Sequence, residues 1–104
     1  MNEIQKQQNR DVEDTIARIK REFDEAGRSR HLAVVDAWNI LHCMDGMQTL
    51  YLRKRIGAHF SFSHVTIFYI MNAYKRLMQD LPDDGKTNGY YRTLKKALSD
   101  EECK

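Results

Sequence analysis

The sequence predicts an α/β fold: a partial parallel sheet flanked by helices and preceded by an amphipathic N-terminal helix. Three observations point there. Leu32–Asn39, reading L-A-V-V-D-A-W-N, is a short apolar run that stops at an acid, the pattern of a strand covered on both faces. His64–Met71, H-V-T-I-F-Y-I-M, is dense in β-branched and aromatic residues, the profile of a central strand. Helical patterns stand before, between and after these two runs, and such alternation argues for a parallel sheet.

Residues 9–26 predict the first helix. Val12, Ile16, Ile19, Phe23 and Ala26 recur at spacings of 4, 3, 4 and 3, a narrow stripe on an otherwise polar surface. Such a stripe packs against one neighbour, and residues 12–26 are too short for a coiled coil unaided, so they imply a homodimer or a partner helix. Gly27 ends the helix. The domains are thus an N-terminal helix, 1–28, and a body, 29–104.

Leu32–Asn39 follows as the first strand. A helix through Met44 is the competing reading, in which Asp36, Asn39 and His42 form the only polar stripe. Asp45-Gly46 breaks the chain, and Asp45 and Gln48 are spaced as a capping box for a helix reaching Phe60. Leu52, Ile56 and Phe60 form the inner face of that helix. Ser61-Phe62-Ser63 leads into the second strand, and a short helix spans Ala73–Leu81. Pro82, Asp83-Asp84-Gly85 and Asn88-Gly89 mark a polar loop. The last helix, Tyr90–Ser99, buries Tyr91, Leu94 and Leu98 and turns Arg92, Lys95 and Lys96 outward.

Composition narrows the function classes. The chain has 104 residues and no run of 18 apolar ones, so no membrane partner is expected. The N-terminus does not read as a signal peptide, and Cys43 and Cys103 read as reduced thiols of a cytoplasmic protein. No zinc pattern joins them to a histidine. Charge is unevenly placed: residues 50–81 hold Arg53, Lys54, Arg55, Lys75 and Arg76 against Asp80, a net +4. These five are the candidate nucleic-acid-binding residues, with a solvated helix face as the plainer reading.

Four segments taken in order resemble the NYN domain, the LabA-like branch of the PIN nuclease superfamily. Val34-Val35-Asp36-Ala37-Trp38-Asn39-Ile40-Leu41 matches the opening strand and its D-G-x-N-L corner, with Ala37 at the family glycine. Tyr51-Leu52-Arg53-Lys54, Val65-Thr66-Ile67-Phe68-Tyr69 and Tyr90-Tyr91-Arg92-Thr93-Leu94 match the following helix, strand and helix. The resemblance implies a parallel sheet and metal-dependent cleavage of RNA. It implies Asp36 as a catalytic ligand to Mg²⁺ or Mn²⁺, and Asn39 as a positioning residue at the same corner. The later S-G-D-x-D segment is absent, so the resemblance covers the N-terminal half of the family domain. A chain holding one of the required carboxylates is expected to be inactive by itself.

Two other readings stand beside it. Residues 50–80 resemble a helix-turn-helix DNA-binding regulator. That reading places Phe60, Phe62, Ile67 and Ile70 inside and makes Ser63 the cap of a recognition helix. Ser61 then occupies the turn position usually held by glycine, and Phe68 and Tyr69 face outward where arginine or glutamine would read bases. The third reading is a small helical interaction module. The state of residues 64–70 discriminates: a strand excludes the helix-turn-helix, and a helix after a tight turn excludes the NYN fold.

Overall fold

The computed structural model describes residues 3–102. It consists of five helices: α1 (Glu3–Glu25), α2 (Arg30–Leu41), α3 (Thr49–Phe60), α4 (His64–Met78) and α5 (Tyr90–Glu102). No strand occurs among the described residues, so the expected α/β fold with a parallel sheet is corrected to an all-helical one.

The N-terminal stripe folds as its spacing requires. Val12, Ile16, Ile19 and Phe23 are buried, whereas Ala26 lies beyond the helix and is exposed. Gly27 takes a left-handed φ of 66°, and Arg28 N–H donates to the Phe23 carbonyl at 2.9 Å. That bond satisfies a carbonyl the helix end leaves open. α1 packs on both α2 and α3. Gln8 Nε2 donates to the Asp45 carbonyl at 2.8 Å and Tyr51 Oη to Asn9 Oδ1 at 2.9 Å, fixing α1 along the α2–α3 connection.

The first expected strand is the middle of α2. Ser29 starts the helix, its Oγ accepting from His31 N–H at 3.2 Å. Leu32, Ala33, Val34 and Val35 are all buried because α2 is packed by α1, α3, α4 and α5. Over residues 32–35 the helix is covered on all sides and is apolar all round, while Arg30, Asn39 and Ile40 toward its ends stay exposed. A continuous apolar run therefore describes a central helix as well as a two-faced strand, and length is what separates them. Here the helix runs 12 residues.

The second expected strand and the first part of the short helix predicted at Ala73–Leu81 are one helix, α4, which ends at Met78. Ser63 caps it, accepting from Thr66 N–H at 3.1 Å. Ile67, Ile70 and Ala73 face inward at helical spacing. Their burial outweighs the weak β-preference of the run. The capping box predicted for α3 does not form: Gln48 holds the N-cap position without a side-chain bond. Leu52, Ile56 and Phe60 are buried as their spacing predicts.

α5 is anchored at both ends. Leu94 is fully buried, Tyr91 and Leu98 are half-buried, and Tyr91 Oη donates to the Leu81 carbonyl at 2.8 Å. Near the other end Arg28 donates to Glu101 at 2.5 and 3.2 Å while its guanidinium lies 4.0 Å over the Phe23 ring. Cys43 is a free, exposed thiol, and Cys103 lies outside the described residues. Among the described residues no helix is long and apolar enough to cross a membrane.

His31 joins α2 to the turn before α4 and to the start of α5. Its ring is 5.5 Å from both Phe62 and Tyr90. Burial pushes the imidazole below the ordinary histidine value of 6.5. The unfolded chain then binds more protons at this site than the folded one, so the site's contribution favours folding less as pH falls below 6.5. In urea titrations at pH 7.5 and 5.5, His31→Phe is expected to lose less stability on acidification than the parent. An equal loss in both proteins would remove His31 from the account.

Candidate nucleic-acid interface

α3 and α4 are joined by the three residues Ser61, Phe62 and Ser63. Ser61 is left-handed, with φ 61° and ψ 37°. Both Ser61 and Phe62 donate their N–H groups to the Gly57 carbonyl, the latter at 2.9 Å. This double closure ends α3 and turns the chain sharply. The turn folds back over Gly57: a Cβ there would fall closer than 3.0 Å to the Phe62 carbonyl oxygen. Only a residue without a side chain accepts that approach without movement. The register is the one read for a helix-turn-helix, with Phe60, Ile67 and Ile70 buried, Phe62 half-buried and Ser63 as cap.

α4 presents one side to solvent. Val65 is 45 % and Phe68 44 % exposed, and Asn72 and Lys75 continue the same face. Tyr69 is half-buried at its flank, its ring 5.9 Å from that of Phe68.

The five predicted basic residues have different fates. Arg55 is paired with Glu13 of α1, and the same carboxylate bonds His59. The Arg55 hydrogen bond holds the Glu13 carboxyl below its usual range; burial opposes this and His59 adds to it. Arg76 donates to the Pro82 carbonyl at 2.8 and 2.6 Å and lies 3.4 Å from Asp84. These two therefore tie α1 and the 79–89 loop to the body. Lys54 and Lys75 are exposed and form no ion pair among the described residues. Arg53 is half-buried, its guanidinium 5.3 Å over the Phe68 ring and its Nε buried without a hydrogen-bond partner. A buried unpaired donor costs about 1–3 kcal/mol.

Asp36 and Asn39 lie on α2 rather than at a strand end. Asp36 is half-buried, and its charge, after the hydrogen-bonded Glu101, helps hold the proton on Arg28. Asn39 is exposed one turn on. Among the described residues no group of three or more His, Cys, Asp or Glu side chains could hold a metal ion. The strand-end corner expected from the NYN resemblance is not formed, because residues 32–39 lie within α2.

Sequence reasoning missed a cleft of about 480 Å³ where the end of α2 and the start of α3 meet α4. Trp38, Phe68, Met71 and Met78 supply apolar wall, Arg53 and Lys75 supply charge, and no carboxylate lines it. Its one available signal was the chain's single tryptophan four residues before His42, a helical spacing that the strand reading set aside. No protein-family profile, curated protein or solved structure matches the chain.

Proposed function

We propose that α3 and α4 form a helix-turn-helix that binds duplex DNA, with the outer face of α4 in the major groove. The observation that carries this reading is the turn: left-handed Ser61 seated over Gly57, followed by a Ser63-capped helix whose opposite face is free. A capped helix of 15 residues that packs one face on its bundle and leaves Val65 and Phe68 exposed on the other is an element that a major groove admits. Lys54 and Lys75 are the exposed cations beside it for phosphate contact. Asn72 suits the paired edge of adenine, and Val65 and Phe68 suit thymine methyl groups, so the preferred sites contain A·T pairs.

The apolar centre of this face also favours a second reading, a small module that binds protein. Fluorescence anisotropy with a labelled 30-base-pair duplex separates the two. DNA binding predicts a dissociation constant that rises steeply with salt, and a Lys54→Glu/Lys75→Glu variant that binds about tenfold or more weakly at low salt. No saturable binding at 50 mM salt overturns the DNA reading.

A further inference from the structure

We infer that the cleft between α2, α3 and α4 is a binding site for a small anionic amphiphile, an apolar body carrying one acidic head group. Its size falls within the range of roughly 300–1,000 Å³ common for small-molecule sites. Its wall is apolar and aromatic through Trp38, Phe68, Met71 and Met78. Its charge is of one sign: Arg53 and Lys75 line it, and no carboxylate does. The Arg53 guanidinium is stacked on Phe68 and its Nε–H has no acceptor. A carboxylate or sulfonate head pairs with the Arg53 and Lys75 charges that line the cleft, and the chain of the ligand covers the apolar wall.

The cleft shares Phe68, Asn72 and Lys75 with the α4 face. An anion held there sets negative charge against a phosphate backbone, so the amphiphile releases DNA. This consequence rests on the DNA reading; ligand binding itself does not.

Trp38 is the chain's only tryptophan and lines the cleft, so its emission reports occupancy. Decanoate titrated into the full chain is expected to shift Trp38 emission saturably and to displace 8-anilinonaphthalene-1-sulfonate. Arg53→Gln is expected to weaken decanoate binding about tenfold, and decanol, lacking the charge, to bind about tenfold more weakly than decanoate. Lys75→Gln, on an exposed side chain, gives a second loss without touching the packing. Absence of saturable binding overturns the site. So does equal affinity for decanol, or unchanged affinity in both variants. In a separate arm decanoate is added to the protein–DNA complex. Release supports the coupling, and binding of both together overturns it. A chain that binds decanoate but no DNA refutes the DNA reading and leaves the site standing.

Discussion

Gly57→Ala is expected to lower the unfolding free energy by about 1–3 kcal/mol, the range for forcing extra volume into a packed site. The sign makes the measurement decisive. In an open helix interior the same change stabilises by roughly 0.5–1 kcal/mol, because glycine loses more backbone freedom on folding than alanine. Gly57 lies within α3 at an ordinary helical φ, so propensity alone favours alanine. Opposing it is the Phe62 carbonyl, which is backbone, and which the double closure onto the Gly57 carbonyl and the Ser63 cap hold in place. Relief requires α3 and α4 to part or the turn to unwind. Urea titration followed by circular dichroism reads the change, and a stabilised variant would show that the turn does not press on Gly57. A destabilised but folded variant is also expected to lose DNA affinity, since the turn sets the tilt of α4.

Ile16→Ala is expected to cost about 2–5 kcal/mol, the usual range for removing a large apolar side chain from a core. Ile16 is 0 % exposed and belongs to one apolar cluster with residues of α2, α3, α4 and α5. α1 is therefore part of the same packed body, not an appended helix, and its loss is felt throughout. Two probes test this. Far-ultraviolet circular dichroism reports all five helices, whereas Trp38 emission reports the α2–α4 region. Both midpoints should fall together, as in one cooperative transition. A variant in which helicity falls while the Trp38 transition stays fixed would mean that α1 melts by itself.

Part of the chain's layout is legible in the sequence. Val12, Ile16, Ile19 and Phe23 repeat with helical period and are buried; Leu52, Ile56 and Phe60 do the same in α3, and Leu94 in α5. The breaks at Gly27, Asp45-Gly46 and Pro82 fall between helices. Within 56–70 the alternative helix-turn-helix reading held the register and the cap at Ser63, whereas the leading reading made His64–Met71 a strand. Positive charge was not legible in the same way. Arg55 and Arg76 sit in the same basic stretch as Lys54 and Lys75, yet the first two meet Glu13 and Asp84 from elsewhere in the fold.

Sequence alone thus determined where the chain breaks at Gly27, Asp45-Gly46 and Pro82, and which faces of α1, α3 and α5 are apolar. Period and turn chemistry are local properties, so local sequence carries them. The tertiary structure decided the identity of Leu32–Asn39 and His64–Met71. In α2 the apolar run is continuous because four other helices surround it, and in α4 the β-branched run is helical because Ile67 and Ile70 have a core to enter. Burial on all sides erases the period that would distinguish helix from strand, and only the packing of distant segments restores the answer. The same packing moved Asp36 from a proposed metal corner to the side of Arg28, and opened the cleft beside Trp38 and Arg53.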